Sequence, residues 1–176
     1  GKARVSFPGG CAIGTRPVDL HLKAMEALGA KIEIEHGYII ATAEKLVGAD
    51  IHFEKSSVGA TVNALMASVL AEGRTRILSA AMEPEIDLVI DMLVKMGAKI
   101  SGKGTTTLII DGVKELYPIE MEMIPDRIEA GTFLIAGALS TKPVTVCNCE
   151  PNHLRALLDK LWEVGCELDI NGKDIT

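Results

Sequence analysis

Apolar positions along the chain recur at helical spacing and stop at a glycine three times. The segments are MEALGAKI at 25–32, LVKMGAKI at 93–100 and LWEVGCEL at 161–168. Their turn glycines, Gly29, Gly97 and Gly165, stand 68 residues apart in both intervals. A second landmark keeps step with the first: Arg16-Pro17, Glu83-Pro84 and Glu150-Pro151 each lie 13 to 15 residues ahead of their glycine. Ser57-Val58-Gly59-Ala60 and Asp126-Arg127-Ile128-Glu129 each open an apolar helix of similar length. A fixed period of this size marks a repeat architecture, in which a unit completes its core against its neighbours.

The middle of the chain shows what one unit contains. Ala, Leu, Met and Val crowd positions 59–72, which predicts a mostly buried helix. A strand follows over 76–79. Pro84 then sits at a helix start, where its missing N–H costs nothing, and Leu88, Leu93 and Met96 mark an amphipathic helix ending near Gly97. Two more strands, over 99–101 and 106–110, flank Gly102-Lys103-Gly104 as a hairpin. Each unit therefore alternates strand, helix, strand, helix, strand, strand, the pattern of a layered α/β domain. About two and a half such units fit the chain, the first cut at its front and the third at its back. The composition breaks over 117–125, which places a boundary near Ile124: repeat units over 1–55 and 56–124, then a second domain opening over 125–176.

Composition narrows the class. With 48% hydrophobic and 24% charged residues in 176, the chain has the profile of a soluble globular protein. A net charge of −6 and 3% aromatic residues offer neither the basic footprint nor the stacking rings of a nucleic-acid binder. The longest apolar stretch, over 130–139, is too short to span a bilayer, and no secretory leader pattern opens the chain. The chain starts at Gly1 rather than Met, immediately before an extended segment, and reads as a piece of something longer. Four cysteines (Cys11, Cys147, Cys149, Cys166) form no recognisable disulfide or zinc framework, which fits a reducing cytoplasm.

The densest chemistry lies in PGGCAIGTRP at 8–17, a loop carrying one thiol and one guanidinium five residues apart. A cysteine beside an arginine can have a lowered pKa and act as nucleophile or acid. Arg16 offers a planar donor fork suited to phosphate or carboxylate. On spacing alone, a glycine-rich surface loop with an incidental thiol is the simpler reading. Lys55-Ser56-Ser57-Val58-Gly59 places a cation, two hydroxyls and a glycine at a helix start, where free amides and the dipole attract anions. It is not a P-loop, and an ordinary serine N-cap explains it equally well. Cys147-Asn148-Cys149 is expected to alternate along a strand with both thiols on one face. No second pair completes four ligands, so no metal centre is expected. His21 stands next to the Arg16 loop and is the one histidine of interest; His36 and His52 read as surface or packing residues. Asp126 reads as a helix cap. A thiol-redox protein built on Cys11 would want a CxxC pair or a nearby resolving cysteine, and neither is present.

Taken together, PGGCAIGTRPVDLHL (8–22), EKSSVGATVNALM (54–66), AMEPEIDLV (81–89), MGAKISGKGT (96–105) and IPDRIEAGTFLIAGAL (124–139) resemble the UDP-N-acetylglucosamine 1-carboxyvinyltransferase (MurA) family of enolpyruvyl transferases. The resemblance runs along essentially the whole chain. The sister family that makes enolpyruvylshikimate phosphate shares the repeat fold but lacks the cysteine loop, and a non-catalytic UDP-sugar-binding relative is the other alternative. The resemblance implies an inside-out α/β barrel in each of two domains, with the active site between them. It implies transfer of the enolpyruvyl group of phosphoenolpyruvate to the 3-hydroxyl of UDP-N-acetylglucosamine, with no metal or organic cofactor, as the first committed step of peptidoglycan synthesis. By position, Cys11 matches the cysteine that protonates or captures phosphoenolpyruvate and is alkylated by fosfomycin. Arg16 matches the arginine on the substrate phosphate. Pro17, Val18, Asp19 and Leu20 match the segment along the uridine, and Lys55, Ser56, Ser57, Val58 and Gly59 the stretch that holds the diphosphate. Met82 departs from the pattern, standing where some relatives carry Arg.

The family's early Lys-Asn pair, an upstream Arg, a late Asp base and a late Arg have no counterpart in these residues. The 176 residues by themselves are therefore expected to give no enolpyruvyl transfer, measured as phosphate release from phosphoenolpyruvate and UDP-N-acetylglucosamine. Turnover above background would overturn that expectation.

Overall fold

The computed structural model describes every residue except Cys11, Ile13 and Thr15. It divides the chain into Gly1–Met121 and Glu122–Thr176. The first unit opens with β1 (Lys2–Ser6), α1 (Asp19–Ala27), β2 (Lys31–Glu35) and β3 (Tyr38–Thr42). It continues with β4 (Asp50–His52), α2 (Val58–Ser68), β5 (Arg74–Leu78), α3 (Pro84–Lys95), β6 (Lys99–Ser101) and β7 (Thr107–Asp111). The second unit holds α4 (Arg127–Ala138), a 3-10 turn (Pro151–Leu154), α5 (Arg155–Glu163) and the short strands β8 (Ile170–Asn171) and β9 (Asp174–Ile175).

The strand order repeats with the sequence. The four-stranded sheet runs β4-β5-β7-β6 and the three-stranded sheet β1-β3-β2, so β1, β3 and β2 occupy the places of β5, β7 and β6. β4 and β5 are parallel, joined through α2 as a parallel pair requires, and the remaining pairs are antiparallel. In the second unit the place of β5 is held by a single antiparallel bridge, Val146 to Ile175, beside the β8-β9 pair. Register is pinned at the sheet margin by charge: Arg74 faces Asp111 across β5 and β7 and donates to both carboxylate oxygens, at 2.7 and 3.1 Å. The hydrogen bond from Arg74 holds the Asp111 carboxyl below the usual carboxylate range.

The repeat glycines do one job three times. At the end of α1, the Gly29 amide donates to Glu26 O at 2.9 Å and the Ala30 amide to Met25 O at 2.9 Å. The same nested pair recurs as Gly97 to Val94 with Ala98 to Leu93, and as Gly165 to Trp162 with Cys166 to Leu161. This is the Schellman motif, which satisfies the last helical carbonyls and needs a left-handed residue. All three glycines supply it, with φ of 95°, 107° and 93°.

The core of the first unit gathers Leu28, Ile51, Phe53, Leu65, Ile77, Ile86, Leu108 and Ile110, all fully buried. α3 contributes Ile86, Ile90 and Leu93 at the spacing of one helix face, behind Pro84 in its first turn and with Glu85 and Asp87 at the favourable end of its dipole. A smaller core in the second unit joins Ala130, Leu134, Cys149, Leu154, Leu158, Leu161 and Ile175.

Three boundaries differ from the sequence reading. α2 stops at Ser68 rather than running to 72, because the Glu72 amide donates to Leu46 O at 2.9 Å and leaves the helix for a parallel bridge with Val47. β5 runs from Arg74 to Leu78 and ends where Ser79 turns left-handed at φ 56°. The third concerns Cys147 and Cys149, which do not share a strand face. Asn148 between them has φ 55°, which breaks the alternation, so Cys147 is exposed while Cys149 is 1% exposed.

Nothing lies within 4 Å of a side chain added at Gly29, so backbone strain alone sets the cost there. Gly29→Ala is expected to destabilise by about 1 kcal/mol, and Gly29→Asn by less, because Asn tolerates the left-handed region. Chemical denaturation of the two variants checks the order.

Candidate functional site

The cysteine loop reaches α1 through Arg16, Pro17 and Val18. Cys11 itself lies outside the described residues. Arg16 and Pro17 are exposed, Val18 is half-buried and Asp19 is exposed in the first turn of α1. Leu20 points into the core at 6% exposure, so any contact it makes with a ligand falls to its backbone. α1 begins at Val18 without a side-chain cap, which leaves its first amides to a ligand or to solvent.

The second segment heads α2. Lys55 and Ser56 are exposed, Ser57 and Val58 half-buried and Gly59 exposed. Ser57 is the N-cap: its hydroxyl accepts from the Ala60 amide at 3.3 Å. The cap satisfies one first-turn amide, and helix geometry leaves those of Val58 and Gly59 without intrahelical acceptors. The serine is therefore a cap and at the same time part of an anion-ready helix start.

The fold brings the two segments side by side. His21, one turn into α1, meets Asn63 of α2, with His21 Nδ1 and Asn63 Nδ2 2.5 Å apart. The adjoining Cε1–Nε2 edge of the same ring lies over Gly59: a Cβ there would sit 3.1 Å from His21 Cε1 and 3.3 Å from Nε2. Lys23 donates to Glu54 at 3.1 Å on the solvent side. Deeper in, the Thr61 hydroxyl accepts from the Ala81 amide at 3.0 Å and so ties α2 to the start of α3. The Met82 side chain is 52% exposed at that start, with its amide held by Glu83 at 3.0 Å.

Sequence reasoning singled out His21 and carried the second stretch as far as Thr61, but missed Asn63 and Glu54. A polar residue inside the apolar run of α2 was the only local sign of Asn63. Elsewhere the chemistry is quiet. Burial pushes the Cys149 thiol up, and the charge of Asp174 adds to the shift, so Cys149 is a packing residue. Among the described residues, no group of three or more His, Cys, Asp or Glu side chains could hold a metal ion. Among the described residues, no helix is long and apolar enough to cross a membrane.

Two helix classes and a βαβαββ order, with a basic loop entering one helix start beside a capped second one, describe an enolpyruvyl-transferase fold. The EPSP synthase (3-phosphoshikimate 1-carboxyvinyltransferase) family matches residues 1–176, and the chain belongs to that family. Among curated relatives, it is 53% identical over 175 residues to a UDP-N-acetylglucosamine 1-carboxyvinyltransferase of Desulfosudis oleivorans, covering 99% of this chain and 42% of that relative. It is 55% identical over 178 residues to the protein of the same name from Chloroherpeton thalassium, covering 100% and 42%. The chain thus spans about two-fifths of the length of the curated relatives it matches. Among solved structures, the enolpyruvyl transferase NikO from Streptomyces tendae superposes with a TM-score of 0.84 at 23% identity, over 100% of this chain and 43% of that one. An EPSP synthase from Acinetobacter baumannii gives 0.63 at 20% identity, over 91% and 38%. At these identities the two structures speak for the fold alone.

The two side-chain caps differ in strength. Asp126 accepts from two amides at the start of α4, Ile128 at 2.8 Å and Glu129 at 3.1 Å, against one for Ser57. Ser57→Ala is expected to cost about 1 kcal/mol and Asp126→Ala at least as much, both read by chemical denaturation.

Proposed function

We propose that this segment belongs to a cytoplasmic enzyme that transfers the enolpyruvyl group of phosphoenolpyruvate to the 3-hydroxyl of UDP-N-acetylglucosamine, releasing phosphate. The observation that carries the reading is the match along the whole chain, at 53% and 55% identity, to relatives named for that reaction. The side-by-side placement of the 16–20 and 55–59 segments supports it, because a nucleotide sugar presents a base and a diphosphate to one continuous surface. In this reading 1–124 closes the first domain, 125–176 opens the second, and the remainder of the parent chain supplies the missing catalytic groups. The product feeds peptidoglycan synthesis, and with it cell shape and division.

The chemistry is addition followed by elimination. An acid delivers a proton to C3 of phosphoenolpyruvate, which leaves C2 electrophilic, and the sugar 3-hydroxyl adds to C2 as it loses its own proton. A base then removes a proton from C3, and the C2–O bond to phosphate breaks as the double bond re-forms. Cys11 is the acid or covalent trap, and Arg16 holds the phosphate as its charge develops. Pro17, Val18, Asp19 and Leu20 lie along the uridine. Lys55, Ser56, Ser57, Val58 and Gly59 hold the diphosphate through helix-start amides and one cation. The steps need no metal or organic cofactor.

Fosfomycin tests this directly. Intact mass of the full-length protein is expected to show a single adduct on Cys11, formed faster with UDP-N-acetylglucosamine present and absent from Cys11→Ala. An adduct indifferent to the nucleotide sugar, or none at all, would transfer the assignment to a binding relative without the chemistry.

A further inference from the structure

We propose that His21 is a positioning residue that sets the spacing between the two ligand-facing segments through Asn63 and Gly59. The inference rests on the transferase reading above and extends it to His21 and Asn63, which lie outside both ligand segments.

The geometry is a ring held at two edges. An amide nitrogen can only donate, so Asn63 Nδ2 at 2.5 Å makes His21 Nδ1 the acceptor. The adjoining Cε1–Nε2 edge of the ring makes the second contact. That edge faces Gly59, where an added Cβ would lie 3.1 Å from Cε1 and 3.3 Å from Nε2, closer than ordinary contact. A side chain at 59 would therefore make the ring give by a few tenths of an ångström, and the imidazole sits between α1 and the first turn of α2.

His21 is one residue beyond Leu20, the end of the uridine segment, and Gly59 is the last residue of the diphosphate segment. Asn63 lies one helical turn below Gly59, on the same side of α2. A single side chain therefore contacts both ends of the surface that the nucleotide sugar would span. Lys23 and Glu54 bridge the same two segments, but their ion pair is exposed, and a pair of that kind contributes little to rigidity.

A positioning role makes a specific kinetic claim. Loss of the ring should weaken binding of the nucleotide sugar while leaving the chemical step and phosphoenolpyruvate alone. In the full-length chain, His21→Ala is expected to raise KM for UDP-N-acetylglucosamine about tenfold, with kcat and KM for phosphoenolpyruvate within about twofold of wild type. Asn63→Ala should show the same split, and the double variant should be no worse than the poorer single one, since both remove one interaction. His21→Asn, whose amide takes the place of Nδ1, should recover most of the loss. Asn63→Ala keeps the test open should His21→Ala fail to fold. A wild-type KM in both variants, additive losses, or a fall in kcat with KM unchanged would overturn the positioning role alone. If the wild-type chain neither binds nor turns over UDP-N-acetylglucosamine, the transferase reading falls first and this inference with it.

Discussion

The space around α2 sets the terms for the rest of the first unit. This helix lies against α1 and α3 and rests on β5 and β7. A helix enclosed in this way has room only for small side chains where neighbours approach within packing distance. Ala60, Thr61, Ala64 and Ser68 meet that demand, all buried, with Leu65 as the one large residue reaching the core. The same enclosure explains why the helix start is crowded with specific contacts. Ser57 caps it, Gly59 admits the His21 ring and Thr61 holds the Ala81 amide. A larger residue at 60 or 64 would push α1 and α3 away, and the His21 and Ala81 contacts depend on their approach.

The repeat was legible because its punctuation is local. A Schellman ending is satisfied within six residues, so its glycine shows in sequence as the last member of an apolar period, and all three endings are where the pattern put them. The βαβαββ order was legible for the same reason. One boundary failed where a distant partner decided it, and others where a single residue took a left-handed backbone. The Glu72 amide leaves α2 for Leu46, and Ser79 ends β5 by its own backbone twist. Nothing in the composition of 69–72 announces that Leu46 will compete for it. The strand expected around Cys147 was lost to a left-handed Asn148, the residue type that most readily adopts that conformation after glycine.

The candidate site divides along the same line. Arg16 to Leu20 and Lys55 to Gly59 stand out because their residue types are unusual for the positions they hold. Asn63 and Glu54 gain meaning only from partners 42 and 31 residues earlier in the chain, His21 and Lys23. Single-sequence reasoning sees a polar residue in an apolar helix and a carboxylate before a lysine. It cannot see that each closes a contact between the two segments it had already marked.

The helices fall into two classes by their place in the repeat. α1, α3 and α5 start without a side-chain cap hydrogen bond, behind a proline, and end in a Gly Schellman turn. α2 and α4 start on a capping side chain, Ser57 or Asp126, and continue into Val69 or Leu139 with no glycine at the end. Side-chain caps and glycine turns are thereby placed at opposite ends of the elements. The glycine ends repeat because the backbone geometry they satisfy is the same in every unit. The starts vary because each faces a different surface, and both candidate ligand segments are starts, one from each class. Solved structures share this fold at 23% and 20% identity, so the fold persists while most side chains change. A contact that couples two starts, such as His21 against Asn63 and Gly59, joins one helix of each class to the other.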